Sequence, residues 1–278
     1  MDYNLDGEQI PYDFVSESST NKQLYWDLAL GLQKIDGLIP SSYMESLIDS
    51  NIKNKIDNTA IEKLLYTYYE TKDLNNPGIK SKRICDLVSN RIVKLISQPS
   101  FSIHPTALKS IHKNLFTDIY DFAGIYRTYN ISKKEPILNG NTVNYALYDQ
   151  IEDMLKHDFN EEKEFNHTNY STKNLVEHIT NFTSKIYEVH PFGDGNTRTV
   201  VVFVTSYLKS LGFYNINNDL FKEHSIYFRN ALVRANYSNY QLGIKATNKY
   251  LMMFFENLLL NKNHKLSNKD LMISELFD

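Results

Sequence analysis

The sequence predicts a mainly α-helical protein, and three observations support that fold class. Along most of the chain, apolar residues recur at the spacing of a helix with one buried face. Many of these runs begin at helix-capping residues and end at glycine. The 278 residues are 42% hydrophobic, which is enough for a sizeable core, and no fixed-period repeat suggests a solenoid.

The first hundred residues read as an irregular lead, residues 1–18, followed by four helices. Residues 19–21 can cap the first helix, which we expect to stop near Gly37 because glycine commonly ends helices. The second helix is expected to begin at residues 40–42. Thr59 and Glu62 form a possible capping box at the start of the third, and the fourth follows a break at residues 75–78.

Residues 125–142 are the best β candidate in the chain. Asn139 and Gly140 are typical of a tight turn between strands, whereas Pro136 restricts regular ladder pairing. The segment therefore predicts an irregular β-hairpin, here called the flap, at about residues 134–143.

Helical spacing marks most of the remaining chain, and we expect the first of these helices to end at Gly124. The segments are 105–124, 144–159, 172–189, 224–237 and 240–260. Residues 200–211 are apolar on nearly every side, and their β-branched run would also suit a strand. Their length and their apolar continuation favour a central buried helix.

The bulk charge excludes several function classes. Thirty basic and 33 acidic side chains leave a net charge of -3, so no global field draws the chain to nucleic acid or to a membrane.

The single cysteine, Cys85, excludes an internal disulfide. The N-terminus lacks a signal peptide, so we expect a cytoplasmic protein, with secretion as an effector left open.

The stretch HPFGDGNTR, residues 190–198, carries the strongest functional signal. Gly193 and Gly195 allow backbone angles that other residues avoid, and they lead into a helix whose first N–H groups are unpaired. Such a helix start attracts phosphate through its amides and its dipole. Arg198 can fork onto phosphate oxygens in the same place.

Two further residues of this stretch supply chemistry. Asp194 offers a hard oxygen to Mg²⁺, the usual companion of a nucleoside triphosphate. His190 titrates near neutrality and can take a proton from a hydroxyl, so we expect activity to fall as the pH drops through roughly 6 to 7. Each residue alone has an ordinary structural explanation, but the whole string in this order favours function. It is neither a Walker P-loop nor a GxGxxG turn nor an EF-hand.

HPFGDGNTR, together with the upstream strings DIYDFAG and YRTYNISK, resembles the Fic family (filamentation induced by cAMP), whose signature is HxFx(D/E)GNGRxxR. The resemblance spans roughly residues 101–240. It implies an all-helical Fic-type core with a small β-hairpin flap, flanked by N-terminal and C-terminal helical extensions. The corresponding division is 1–100, 101–240 and 241–278.

Fic proteins typically transfer AMP from ATP to a hydroxyl side chain of a target protein and release pyrophosphate. The resemblance implies that His190 is the general base, that Asp194 holds Mg²⁺ and that Phe192 is an anchor in the core. The implied phosphate-binding residues are Gly193, Gly195, Asn196, Thr197 and Arg198. The implied target-docking residues, which would align a target by strand-like backbone pairing, are Ile137, Leu138 and Asn139.

The match departs from the signature at two positions. Thr197 stands where a second glycine is usual, which is tolerable if the residue is already helical. Val201 replaces the last arginine, so one phosphate clamp is missing and another cation is needed for a firm grip.

Many Fic proteins carry an inhibitory helix, (S/T)xxxE(G/N), whose glutamate pairs with that last arginine. Ser41 and Glu45 match it in part, and residues 50–55 offer a second register with Asn54 in place of the acid. An ordinary exposed helix explains either string equally well. Because residue 201 is not arginine, we expect weak or no autoinhibition.

Three functions follow from these residues. The first is a protein adenylyltransferase that uses ATP and Mg²⁺ to modify a Tyr, Thr or Ser hydroxyl, on a target protein or on itself. The second is a Doc-like phosphotransferase, which fits poorly because its motif has lysine near position 197. The third is a nucleotide-binding interaction protein with weak catalysis. The target, the preferred base and a homodimeric state stay open.

Overall fold

The protein is described by a computed structural model that covers residues 19–98, 101–165, 171–213 and 219–276. The described chain is 67% helical, with ten α-helices and almost no strand, which confirms the predicted all-helical fold class. The expected irregular lead, residues 1–18, lies outside the described residues.

Four helices precede the residues that carry the motif. They are α1 (Ser19–Gln33), α2 (Ser42–Ile52), α3 (Asn58–Glu70) and α4 (Pro77–Ile96). The first is followed by a 3₁₀ turn and stops at Gly37, whose φ is 67°, as predicted.

The predicted capping box of α3 is wrong. Asp57 caps that helix instead, because its carboxylate accepts a hydrogen bond from the Ala60 N–H at 2.6 Å. Glu62 is then free to pair with Arg91, whose Nε donates to it at 2.8 Å.

Six helices follow. They are α5 (Pro105–Phe116), α6 (Ile151–Glu164), α7 (Thr172–Val189), α8 (Asn196–Ser210), α9 (Asp219–Ala235) and α10 (Lys249–Leu260). Helix α7 has its predicted bounds, and α8 is the buried helix expected at 200–211. Helix α5 ends at Phe116 rather than Gly124, and α6 begins at Ile151 rather than 144, because the intervening segments dock on the motif loop as turns.

A single hydrophobic core joins the helices. Helix α8 is its centre, with Val202 and Phe203 fully buried, and α5 and α7 pack on its sides. Helix α1 packs against both α4 and α9, so the N-terminal helices share this core with the rest of the chain.

The flap is a loop and not the predicted β-hairpin. Within the described ranges, the one β pairing is an isolated bridge between Asn239 and Ile244, far along the chain from the flap. The flap residues Pro136–Leu138 form a 3₁₀ turn, and the chain reverses through Asn139, whose φ is 50°. Proline donates no ladder hydrogen bond. The reversal is held by turn hydrogen bonds, among them the one from the Gly140 N–H to the Glu135 carbonyl oxygen at 3.0 Å, and by tertiary contacts.

Those contacts come from the C-terminus of the described chain. The turn at Pro136–Leu138 packs against a second 3₁₀ turn, Ile273–Leu276. Ile137 and Leu138 are buried there. Among the described residues, none of the helices has both the length and the apolar character that crossing a membrane requires.

Candidate active site

The motif loop, residues 190–198, connects α7 to α8 through two left-handed residues. His190 ends α7 with φ of 46°, and Gly195 precedes α8 with φ of 74°. Thr197 lies inside α8, so the strain that a non-glycine residue would meet in a left-handed conformation does not arise. The loop is therefore compatible with threonine in place of the second glycine of the signature.

Position 195 requires glycine because of its positive φ and because there is no room for a side chain. A Cβ atom there would lie 2.4 Å from the Phe116 ring, which is fully buried in the core. No side chain caps the start of α8 in the described structure, so the first N–H groups of that helix remain open to a ligand.

Asn196 closes the loop with its side chain. Its Oδ1 accepts from the Phe192 N–H at 3.0 Å, and its Nδ2 donates to the Phe192 carbonyl at 2.8 Å. The side chain is thus used within the loop, and only the backbone N–H of Asn196 remains for a phosphate. Phe192 is buried, as the anchor role requires.

A histidine without a predicted role, His112 on α5, holds the loop from below. Its ring stacks on Phe192 at 3.8 Å between centroids, and its Nε2 lies 3.0 Å from the Asp194 carbonyl oxygen. Nδ1 accepts from the Gly124 N–H at 2.8 Å, so Nε2 carries the proton and donates. Burial lowers the pKa of His112 to about 4, which keeps the ring neutral.

His190 is a buried, neutral imidazole at the wall of a cavity. Burial, followed by the positive charge of Lys133, lowers its pKa to about 3. Nδ1 lies 3.4 Å from the Tyr187 carbonyl oxygen, which favours the proton on Nδ1 and a lone pair on Nε2. The ring can accept a proton at pH 7, and the acid loss of function expected at roughly pH 6 to 7 moves to lower pH.

The cavity in front of the motif loop has a volume of about 310 Å³. Every motif residue predicted to bind nucleotide or metal lines it: His190, Gly193, Asp194, Gly195, Asn196, Thr197 and Arg198. The rest of the cavity wall is formed by residues 35–36, residues 131–133 and Arg229. The base, the helix start and the cations thus face one space.

Arg127 ties the segment before the flap to the motif loop. Its guanidinium donates to the carbonyl oxygens of His190 at 2.9 Å, Tyr129 at 2.7 Å and Ala146 at 2.6 Å. The residue is buried, and its N–H also donates to Pro191. Sequence reasoning gave Arg127 no role, because its partners are backbone atoms distant in the chain.

Asp194 is suited to a divalent cation. Its side chain is 57% exposed, and its two oxygens accept from the Gly195 N–H at 2.6 Å and from the Tyr120 hydroxyl at 3.1 Å. These contacts orient the carboxylate without using all its lone pairs. A single carboxylate suits Mg²⁺, which takes its other ligands from phosphates and water.

Arg198 is buried and is held by an acid from the N-terminal region. Its NH2 lies 3.0 Å from Asp36 Oδ2 and 4.0 Å from Asp194 Oδ1, and its NH1 donates weakly to Gln33 at 3.4 Å. Asp36 belongs to the turn after α1. The carboxylate of Asp36 therefore forms an ion pair with Arg198, the arginine expected to bind nucleotide phosphates. This contact was not predicted from the sequence, which indicated weak or no autoinhibition.

Comparison with known proteins bears on this loop. The Fic/DOC family profile matches residues 102–208, which contain α5, the flap, α6, α7, the motif loop and most of α8. Residues 102–208 thus resemble a Fic/DOC domain. This confirms the family resemblance of HPFGDGNTR, and Fic domains are generally transferases.

Two solved structures of Fic domains resemble the chain. One is the N-terminal Fic domain of a Bartonella effector protein, a substrate of the VirB secretion system, at 19% identity and a TM-score of 0.50. That match covers 67% of this chain and 85% of the other. The second is a Fic-domain signaling protein from Bacteroides thetaiotaomicron, at 17% identity, a TM-score of 0.49 and coverage of 86% and 90%. No curated protein matches the sequence.

The predicted regulatory residues lie away from the cavity of the Fic domain. Ser41 caps α2, and its hydroxyl donates to buried Asp86 at 2.5 Å. Glu45 is exposed on the same helix. In the other register, Asn54 accepts from Lys22 at 2.6 Å. Neither register lines the cavity, and the acid that reaches the motif arginine is Asp36.

The flap residues predicted to dock a target, Ile137, Leu138 and Asn139, do not line the cavity. Ile137 and Leu138 are buried against the C-terminal turn, so their side chains are not available to a target. Asn139 is exposed but does not line the cavity. The cavity wall on this side is made by residues 131–133.

Proposed function

We propose that this chain is a protein adenylyltransferase that moves AMP from Mg-ATP to a Tyr, Thr or Ser hydroxyl of a target protein or of itself. The observation that carries the proposal is the meeting of His190 and the open N-terminus of α8 at one cavity. A pure nucleotide binder would need the helix start but would have no use for a neutral imidazole beside it.

In the proposed step, the acceptor hydroxyl oxygen forms a bond to the α-phosphorus of ATP. The bond from that phosphorus to the bridging oxygen of the β-phosphate breaks, and pyrophosphate leaves. The hydroxyl proton passes to Nε2 of His190, which is neutral at pH 7 because of its lowered pKa. The N–H groups at the start of α8 stabilise the charge that builds on the α-phosphate oxygens.

Asp194 is the residue proposed to hold Mg²⁺, which would neutralise phosphate charge when bound. Arg198 would hold the leaving phosphates once Asp36 has been displaced from it. That exchange replaces one charge-assisted contact by another, so it is sensitive to the nucleotide concentration.

Labelled ATP tests the proposal. The protein is incubated with Mg²⁺ and ATP labelled at either the α- or the γ-phosphate, alone and with a cell extract as a source of acceptors. We expect protein-bound label from α-labelled ATP only, and any acceptor among the 20 tyrosines of the chain can be found by peptide mapping. Label from γ-labelled ATP would assign phosphotransfer instead, and no label from either would indicate a binding protein.

A further inference from the structure

Three cationic side chains line the described wall of the cavity, and two of them already have an acidic partner. Arg198 is paired with Asp36 at 3.0 Å. Arg229 is paired with Glu135, whose carboxylate is completely buried and whose Oε1 accepts at 2.6 Å. Both guanidinium charges are largely neutralised, so a phosphate has to displace or share an acid to use them.

Lys133 is the third cation, and it differs from both arginines. In the described part of the chain no carboxylate lies within ion-pair distance of its ammonium, and the side chain is exposed. Its backbone is nevertheless held, because its N–H donates to Thr142 Oγ1 at 3.0 Å. The same loop is anchored to His190 through Arg127.

The charge of Lys133 acts at the His190 end of the cavity. Among the charged groups that shift the pKa of His190, Lys133 has the largest effect, ahead of Arg127 and Arg229, and only burial outweighs it. Arg198, which lies beside Asp36, is not among the groups that shift this pKa. Lys133 and His190 line the same cavity, so this ammonium is available to a phosphate bound beside the imidazole.

We propose that Lys133 binds the phosphate group beside His190, the one that is transferred. This inference rests on the proposed function. A lysine is suited to the role because its charge is compact and its flexible stem follows a phosphate as the phosphate changes geometry. The residue would thus position the transferred group, while Arg198 serves the leaving group.

The chain offers a matched control in the adjacent Lys134, which is equally exposed but does not line the cavity. AMP is the probe, because it carries only the phosphate in question. Its affinity is measured by calorimetry for the full chain and for Lys133→Met, Lys133→Arg and Lys134→Met. We expect Lys133→Met to weaken AMP binding by about 3- to 30-fold, Lys133→Arg to retain most of it, and Lys134→Met to change it by less than about twofold.

The pKa of His190, followed by NMR of its ring proton in the AMP-free protein, gives a second result. Removing the cation in Lys133→Met raises this pKa, because an imidazolium is then repelled less, whereas Lys134→Met leaves it unchanged. The two results together support a direct role beside His190. Equal AMP affinities for the two methionine variants, or an unchanged His190 pKa in Lys133→Met, would overturn the inference.

The proposed function is tested separately. If α-labelled ATP leaves no label on protein in the presence of the unaltered chain, AMP transfer is contradicted, whatever the Lys133 variants do to AMP binding. Retained α-label combined with equal affinities counts against Lys133 alone.

Discussion

The motif loop and the flap obtain their shapes in different ways, and of the two the motif loop alone lines the cavity. Residues of the motif loop itself supply much of its shape: Gly195 adopts the left-handed angle, and Asn196 ties the loop to Phe192. Contacts from His112 and Arg127 hold the loop in place. The flap turn has hydrogen bonds of its own, such as the one from the Gly140 N–H to the Glu135 carbonyl oxygen at 3.0 Å. It is also held from outside, by the C-terminal turn under Leu138 and by the pair of Glu135 with Arg229.

The difference explains which loop could be read from the sequence. Where neighbouring residues dictate the backbone, a nine-residue string suffices to predict a helix start open to phosphate. Where contacts from 94 or more residues away also hold a segment, local composition misleads, and the turn-forming Asn139 and Gly140 suggested a hairpin that is absent.

The most severe way to break the motif loop's chemistry is His190→Ala. General-base catalysis contributes about 10²- to 10⁴-fold, so we expect α-label transfer to fall by that factor. ATP affinity, measured by calorimetry, should change by less than about threefold because the α8 amides and Arg198 remain. Transfer at the unaltered rate in the variant would remove the catalytic role from His190.

The next largest effect is expected from Gly195→Ala, which attacks the loop's internal geometry. The added methyl meets the Phe116 ring, and alanine resists a φ of 74°. We expect loss of AMP binding together with a drop of about 2 kcal/mol or more in the free energy of unfolding. Gly140→Ala in the flap is the comparison, since its φ of 81° is similar but its Cβ would meet no atom within 4 Å. Equal losses at the two positions would show that the backbone angle alone matters.

The periodicity of apolar residues predicted much of the fold, and contacts between segments distant in the chain explain most of the errors. Helix α7 has its predicted bounds because its apolar stripe is continuous, whereas α5 stops early because residues 117–124 turn back onto His112. His112 itself was detectable as a polar residue on the apolar stripe of α5. Asp36 and Arg127 were not, because their partners are remote in sequence.

The packing of the flap against the C-terminal turn predicts that a substitution at Leu138 lowers the free energy of unfolding. Leu138→Ala leaves a cavity against the C-terminal turn, and we expect a loss of about 2–5 kcal/mol in the free energy of unfolding by urea titration. Asn139→Gly, one residue along and exposed, should change it by less than about 1 kcal/mol. If Leu138→Ala leaves stability intact and lowers only target labelling, the residue docks targets after all.

A smaller effect is expected from Asp36→Asn, which links the N-terminal helices to the motif loop. Freed from its acid, Arg198 can hold nucleotide phosphates, and we expect ATP affinity and α-labelling to rise about 3- to 10-fold. Glu45→Gln is the control, because Glu45 lies away from the cavity. A rise with Glu45→Gln and none with Asp36→Asn would restore the regulatory segment expected from the sequence.

The last expected effect concerns the acid stability of the motif loop. His190 and His112 have pKa values lowered to about 3 and about 4, so both stay neutral in the folded chain while the unfolded chain takes up protons near pH 6.5. Their contribution is complete above pH 6.5 and is lost as the pH falls toward 4. We expect about 1.5 kcal/mol per histidine between pH 6.5 and 5. Calorimetric melting of His112→Gln should show a weaker pH dependence, and an unchanged dependence would contradict this origin.

Intact-mass measurement tests the central claim most directly, namely that the amides of α8 and the imidazole of His190 act on the α-phosphate. After incubation with Mg-ATP, the unaltered chain or its acceptor should gain the mass of one AMP residue, and the His190→Ala protein should gain none. A gain equal to a phosphate group, or an AMP adduct of equal yield in both proteins, would contradict the account.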